Sequence, residues 1–225
     1  MKGTIVNFAS IFIAGLLGLL VKGGIPERIN KTIMNAVALA VIIIGISGSL
    51  KGENTLLMVI SLAIGALIGE IIDIDNLIGQ LAKYIESRLK RLGESNFTQG
   101  FIASTLLFCV GSMAIVGALN SGLAADHELL YTKSILDGIS AFILSSTLGI
   151  GVIFSSFAVL SYQGLITLSA TFLSTILSKM VILEISAVGS VLIMALGFNM
   201  LGISNIKVAN ILPSILIPVI YLTLF

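Results

Sequence analysis

Charged residues are scarce in this chain of 225 residues: only 10% are Asp, Glu, Lys or Arg, whereas 57% are hydrophobic. Soluble domains carry about a quarter charged residues, and a soluble fold of this length could not bury so much apolar surface. The composition therefore predicts that lipid surrounds part of the protein. The 12 basic and 11 acidic residues give a net charge of +1, so we expect no nucleic-acid partner.

Cysteine and histidine occur once each, which leaves few residues for disulfide, metal or nucleophilic chemistry. Cys109 lies in an apolar run without a second cysteine to pair with, and His127 lies in a polar segment. The chain also lacks a phosphate loop, a G-x-S-x-G elbow and an H-E-x-x-H motif. We therefore expect a protein that is not an enzyme, with no catalytic residues, no metal site and no cofactor beyond a coupling Na⁺ or H⁺.

Long apolar runs fill most of the chain instead. A bilayer core of about 30 Å needs about 20 apolar residues in a helix. Candidate spans are 3–21, 32–50, 55–72, 98–119, 138–160, 164–180, 185–203 and 208–225. Because residues 161–164 interrupt a long stretch rich in Gly, Ser and Thr, seven spans are an alternative to eight. The expected fold is an all-α, polytopic transmembrane helix bundle that forms a single membrane domain over residues 1–225.

Basic residues predict the orientation, since cytoplasmic loops collect Lys and Arg. With eight spans, one side carries Lys22, Arg28, Lys31, Lys83, Arg88, Lys90, Arg91 and Lys207, and the other carries Lys2, Lys51, Lys133 and Lys179. We therefore expect a multi-pass protein of the bacterial inner membrane. Its basic loops 22–31 and 76–93 are expected in the cytoplasm, and its N-terminus outside.

The segment 76–93 has a pattern of its own. Its apolar residues fall on one helical face and its charged residues elsewhere: the apolar set is Leu77, Leu81, Tyr84, Ile85, Leu89 and Leu92. This pattern predicts an amphipathic helix that lies on the cytoplasmic membrane surface, between the first and second parts of the chain. We expect it to act as a topological anchor rather than as a regulatory element.

A weak internal similarity suggests a duplication. Residues 46–76 and 175–205 align without gaps at an offset of 129, with eight of 31 positions identical. Transporters are often built from repeats whose interface holds the binding site. The eight-span scheme gives a parallel repeat and a seven-span scheme could give an inverted one, so both arrangements stay open.

Two stretches rich in Gly and Ser, residues 109–122 and 145–156, are the first candidate for a binding site. Glycine weakens a helix by about 1 kcal/mol relative to alanine, and unwound backbone inside a membrane must face a cavity rather than lipid. Close helix packing is the alternative explanation. The candidate lining residues are Ser112, Asn120, Ser145, Ser146, Thr147, Gly149 and Gly151.

Polar residues inside the other apolar runs are the second candidate, because they are costly in lipid. Asp137 could touch a solute or ion path, although a helix N-terminus would also explain a carboxylate there. Glu70 is a secondary candidate near the end of the third run. The amide residues that complete the set are Asn7, Gln163, Asn199 and Asn210. Hydrogen bonds between helices would also account for the buried asparagines.

Several motifs together resemble a known bacterial family. They are GT-x-x-N at residues 3–7, PER at 26–28, DGISAFILSSTLGIGVIFSSFAVLSYQGLITL at 137–168 and LGFNMLGISNIKVANILP at 196–213. The chain resembles, over nearly its whole length, the membrane-protein family called domain of unknown function 554. The resemblance implies a multi-span inner-membrane protein, often described as a transport protein, without a substrate. It adds weight to Asn7, Asp137, Gly149, Gly151, Gln163, Asn199 and Asn210.

These observations predict a secondary transporter or facilitator for a small polar solute, an amino acid or an organic acid, coupled to Na⁺ or H⁺. The solute is expected near the membrane midplane between residues 109–122 and 145–156, with Asn7 and Asn199 nearby. The alternatives are an ion or solute channel, and a membrane scaffold or assembly protein that transports nothing. The expected partners are the lipid bilayer and the solute, and a homo-oligomer stays open.

Overall fold

The computed structural model of the chain describes residues 1–22, 26–80, 97–110 and 112–224. These residues form helices joined by short connections, and no strand occurs among them, which confirms the all-α fold. The labelled helices are Lys2–Lys22 (α1), Glu27–Ser49 (α2), Thr55–Ile72 (α3), Phe97–Cys109 (α4), Ser112–Leu123 (α5), Glu128–Leu148 (α6), Gly151–Leu168 (α7), Ala170–Ile176 (α8), Lys179–Met200 (α9), Val208–Ile211 (α10) and Ile217–Leu224 (α11), with a 3₁₀ turn at Leu212–Leu216.

The number of spans differs from the prediction. Five helices in the described ranges, α1, α2, α3, α7 and α9, are long and apolar enough to cross a membrane. They become six if the pair Phe97–Cys109 and Met113–Leu123, bent by 58°, forms one span, so the count is below eight. Helix α6 has 21 residues but carries Lys133 and Asp137, and the 3₁₀ turn interrupts the last apolar run.

Two predicted boundaries in the middle of the chain were wrong. The spans 138–160 and 164–180 place a break at residues 161–164, but α7 continues through them, and Ser161 donates to the Phe157 carbonyl one turn earlier. The chain instead breaks after Leu148, where Gly149 has a φ of +85°. Glycine reaches this backbone conformation without the strain that a side chain would cause. Helices α6 and α7 are therefore separate and joined by a tight turn.

Helix α1 packs between α6 and α7. It runs parallel to α6, because Gly3 lies against Leu130 and the Gly15 carbonyl accepts from Ser145 further along both helices. It runs antiparallel to α7, because residue 4 contacts residue 167 whereas residue 15 contacts residue 153. These three helices therefore form one compact group.

Helices α2 and α9 pack antiparallel in a second group. This group also contains α3 and the last part of the chain, residues 208–224, which packs against α3. Small residues bring the backbones together, as expected where lipid removes the hydrophobic driving force. Gly45 of α2 lies against Met194, and Gly69 of α3 lies so close to the Asn210 carbonyl that an added Cβ would overlap it. The larger apolar core contains buried residues from both groups and from α4, among them Ile11.

The connections define two ends of the bundle. We call the end with residue 1, the loop 50–54, the loop 124–127 and residues 169–178 the N-terminal side. The opposite side carries Pro26, the turn 149–150 and the loop 201–207. Helices α3 and α9 run in the same direction. The duplication stays a prediction. Most of the predicted amphipathic helix 76–93 lies outside the described residues, of which 76–80 are helical.

Candidate functional site

Four polar side chains meet inside the group formed by α1, α6 and α7. Asn7 and Gln163 are fully buried, and Lys133 and Asp137 are each only 6% exposed. We call these four residues the polar cluster. Asn7 lies five residues from the start of α1, roughly 8 Å along a helix that rises 1.5 Å per residue. The cluster therefore lies within the helices on the N-terminal side and away from the loops.

An ion pair forms the centre of the cluster. The Lys133 ammonium lies 2.7 Å from both carboxylate oxygens of Asp137. Asn7 donates from Nδ2 to Asp137 Oδ2 at 3.0 Å and to Gln163 Oε1 at 3.3 Å. A carboxylate only accepts hydrogen bonds, so the Nδ2 group of Asn7, and not its oxygen, faces Asp137.

The sequence of α6 produces this geometry locally. Lys133 and Asp137 are four residues apart, so their side chains lie on the same helical face. Between and beside them are Ser134 and Gly138, which let α1 approach closely. The Ser10 hydroxyl of α1 donates to the Ser134 carbonyl at 2.6 Å. Small residues therefore bring the amide of α1 within reach of the ion pair.

Two atoms of the cluster are buried without a hydrogen-bond partner. They are Oδ1 of Asn7, an acceptor, and Nε2 of Gln163, a donor. A buried polar atom without a partner costs about 1–3 kcal/mol, and most such atoms in proteins are satisfied. A small solute that carries both a donor and an acceptor would satisfy both atoms. The four side chains thus offer a positive group on Lys133, a negative group on Asp137, a free acceptor on Asn7 and a free donor on Gln163.

Three of the predicted site residues, Asn7, Asp137 and Gln163, meet in this cluster. Asn7 is 130 residues from Asp137 in sequence and 156 residues from Gln163. The prediction missed Lys133, which was counted as a loop charge because the fifth span was expected to begin at residue 138. The spacing of four residues between Lys133 and Asp137 was the signal that could have identified the pair.

The hydroxyl groups of the stretch 145–156 donate to backbone carbonyls in this conformation. Ser145 donates to the Gly15 carbonyl at 2.7 Å, and Ser146 donates to the Ile143 carbonyl of its own helix. Thr147 likewise donates to carbonyls of α6. These hydroxyls are therefore satisfied by backbone groups and do not join the polar cluster.

The glycines of this stretch, Gly149 and Gly151, also have structural roles. Gly149 makes the turn between α6 and α7, and Gly151 lies against the carbonyl oxygen of Phe97. In the other stretch, Ser112 begins α5, and the Asn120 carbonyl accepts from two backbone amides at the end of that helix. These contacts serve turns and helix ends, and a cavity shared by the two stretches stays a prediction.

Asn199 lies at the other end of the bundle from Asn7, so the prediction that they are neighbours was wrong. Its side chain accepts from the Ile206 amide at 2.9 Å and donates to the Ile206 carbonyl at 2.7 Å. The Ser204 hydroxyl also donates to Asn199, at 2.7 Å. This asparagine therefore organises the loop 201–207, because its side-chain amide supplies hydrogen-bond partners to the backbone of Ile206.

Glu70 and Asn210 meet on the same opposite side. Asn210 donates to Glu70 at 2.6 Å and accepts from the Asp75 amide at 2.7 Å. Lys207 forms an exposed salt bridge with Glu70 at 2.8 Å. The pKa of Lys207 is raised, first by its hydrogen bond to Glu70 and then by the negative charge of that carboxylate. These contacts join the end of α3 to the start of α10 and do not form a buried site.

Three cavities lie elsewhere in the structure. One of about 280 Å³ lies between α3 and α11, one of about 320 Å³ lies between α2, α4 and α9, and one of about 360 Å³ lies beside the loop 201–207. The polar cluster borders none of these three. Within the described ranges no group of three or more His, Cys, Asp or Glu could hold a metal ion. The four side chains of the cluster are at most 6% exposed, so the helices around them enclose the cluster in this conformation.

One known protein family matches nearly the whole chain. The family model described as "Protein of unknown function (DUF554)" matches residues 2–223. The chain belongs to this family. Within the DUF554 family, it is 34% identical over 222 residues to "Uncharacterized membrane protein YdfK" of Bacillus subtilis (strain 168), covering 97% of this chain and 94% of that protein.

A second relative comes from another bacterium. The chain is 31% identical over 219 residues to "Uncharacterized protein YqgA" of Escherichia coli (strain K12), covering 96% of this chain and 93% of that protein. No solved structure matches the chain. The family match and the apolar helices together make this DUF554 protein a membrane protein.

Proposed function

We propose that this DUF554 protein is a secondary transporter of a small polar solute, located in the bacterial inner membrane with its N-terminus outside. The observation that carries the proposal is the buried ion pair of Lys133 and Asp137, with the two unpartnered amide atoms beside it. Charged groups inside membrane helices are costly and usually mark the path of a substrate or an ion. The proposed activity involves no covalent chemistry.

The chemistry of the cluster favours an amino acid among the polar solutes. An amino acid carries an ammonium and a carboxylate side by side, and the cluster presents Asp137 and Lys133 in the same way. The solute carboxylate would accept from Gln163 Nε2, and its ammonium would donate to Asn7 Oδ1, so both free atoms gain partners. An organic acid without an ammonium would leave Asp137 facing a second negative group, which is unfavourable.

The same contacts suggest how binding would open the cluster. A solute that inserts its charges between Lys133 and Asp137 replaces the ion pair with two new pairs, so the charges stay compensated throughout. Asn7 of α1 donates both to Asp137 of this pair and to Gln163 of α7. When Asn7 and Gln163 also turn away from each other toward the solute, α1 and α7 lose this hydrogen bond and keep the one between Thr4 and Thr167. The helices could then separate toward either side of the membrane.

Uptake into proteoliposomes tests this proposal. The purified protein is reconstituted, and labelled amino acids and organic acids are supplied with an inward Na⁺ gradient, an inward proton gradient or neither. We expect saturable uptake of an amino acid. Asp137→Asn should lower that uptake about 10- to 100-fold, because a hydrogen bond to a charged group contributes about 1.5–3 kcal/mol.

A matched control separates the cluster from general charge effects. Asp126→Asn makes the same chemical change at an exposed loop position on the N-terminal side, and its uptake should equal that of the unchanged protein. A flux that never saturates and that ignores both gradients would indicate a channel. No flux of any solute, with a correctly folded protein, would favour a scaffold and contradict the proposal.

A further inference from the structure

A second buried carboxyl lies outside the polar cluster. Glu184 is on α9 and is fully buried. Its Oε1 accepts hydrogen bonds from the backbone amides of Glu53, at 2.8 Å, and Asn54, at 3.0 Å. These amides belong to the loop 50–54 between α2 and α3. Its other oxygen, Oε2, is buried and has no hydrogen-bond partner.

No cation compensates this carboxyl within the described part of the chain, where the two salt bridges are Lys133–Asp137 and Lys207–Glu70. Lys51 and Glu53 of the adjoining loop and Lys179 at the start of α9 are exposed. Tyr221 of α11 lines a cavity together with Asn54. An isolated carboxylate inside a membrane protein is costly, and the usual solution is to bind a proton.

The loop 50–54 lies beside Oε2. A Cβ added to Gly52 would be in contact with this oxygen, at 3.4 Å. The loop has open space on both of its sides. Lys51 borders the cavity of about 320 Å³, and Asn54 borders the cavity of about 280 Å³. A small movement of the loop at Gly52 would therefore expose Oε2 to water.

We propose that Glu184 is the carboxyl that carries the coupling proton. This inference rests on the proposed transport function and identifies the coupling ion as H⁺ instead of Na⁺. The proton binds to Oε2, while Oε1 keeps its two backbone amide donors. The proton exchanges with water when the loop moves and water reaches Oε2.

Infrared difference spectroscopy tests proton binding without any need for transport. A protonated carboxyl has a C=O stretching band at a higher frequency than the bands of a carboxylate or an amide. A pH titration of the reconstituted protein should show such a band. The band should disappear in Glu184→Gln, whose amide oxygen can still accept from both backbone amides. It should remain in Glu184→Asp, which keeps an acid group, and in the control Glu53→Gln. A band that persists in Glu184→Gln would overturn the inference.

Accumulation of the solute tests coupling. With one proton per solute, a gradient of one pH unit supports about tenfold accumulation, since a factor of ten corresponds to about 1.4 kcal/mol. Glu184→Gln should reduce the accumulation ratio to about one, while exchange of labelled for unlabelled solute continues. If Glu184→Gln still accumulates solute tenfold, or if a Na⁺ gradient drives uptake and a pH gradient does not, Glu184 is not the coupling site. If no variant transports any solute, the transport proposal fails, and the infrared band alone decides whether Glu184 binds a proton.

Discussion

Removing one partner of the buried ion pair should destabilise the protein far more than removing both charges. The Lys133 and Asp137 side chains are only 7% and 8% exposed, so water screens them little. Two charges roughly 4 Å apart attract by about 4 kcal/mol at the effective dielectric constant that describes most protein sites. Breaking one partner of a buried pair typically costs about 3–5 kcal/mol, because the remaining charge stays buried.

The test is a double-mutant cycle. Lys133→Met and Asp137→Asn should each lower the free energy of unfolding by about 3–5 kcal/mol. The double variant should lose less than either single variant, because the introduced methionine and asparagine leave no buried charge and the new amide can still accept from Asn7. Unfolding is followed by circular dichroism during titration with sodium dodecyl sulfate in mixed micelles.

The cycle can also refute this reasoning. If the effects of the two single variants simply add in the double variant, Lys133 and Asp137 are not energetically coupled. If each single variant lowers the free energy of unfolding by less than about 1 kcal/mol, the pair stabilises the protein no more than an exposed salt bridge does. Either result would mean that water reaches the cluster and that the 2.7 Å contacts contribute little.

Two further predictions concern packing and orientation. Gly69→Ala should destabilise the protein by about 1–3 kcal/mol, because its Cβ would overlap the Asn210 carbonyl. Gly79→Ala should change stability by less than about 0.5 kcal/mol, because no atom of the described residues lies within 4 Å of its Cβ. Both are measured by the same unfolding titration. For orientation, Lys2→Cys in a cysteine-free chain should react with an impermeant maleimide only from outside, and Asn205→Cys only from inside. Labelling of both positions from the same side would contradict the arrangement of the two ends.

The sequence alone predicted the class of fold because hydropathy and helix length are local properties. Residues 55–72 form a helix over the predicted range. The break between α6 and α7 was misplaced because Ser, Gly and Gln can remain helical when side chains or neighbouring helices satisfy them. Ser161 does so within its own helix, and Gln163 does so with Asn7. Only the packed structure shows that Gly149 is the glycine that makes the turn.

The candidate site was predictable only in part, for a related reason. A polar residue inside an apolar run is visible in sequence, and Asn7, Asp137 and Gln163 were identified in that way. Their meeting depends on the packing of three helices that are distant in sequence. Lys133 and Glu184 were missed because the predicted spans began at residues 138 and 185, so each was counted outside the membrane. Errors of a few residues at a helix boundary therefore hide the residues that matter most.

The bent pair α4 and α5 connects the two buried acidic sites. Gly117 of α5 lies against Leu130 of α6, one turn from the ion pair, and Val110 at the bend lies against Gly189 of α9. A change of bend would therefore move both α6 and the helix that carries Glu184. Gly189→Ala should slow transport although it touches neither site, because its Cβ would overlap the Val110 side chain. Val110→Ala in the same chain should restore the rate, since it removes the overlapping methyl groups. If Gly189→Ala transports normally, or if Val110→Ala fails to rescue it, the bend does not couple the two sites.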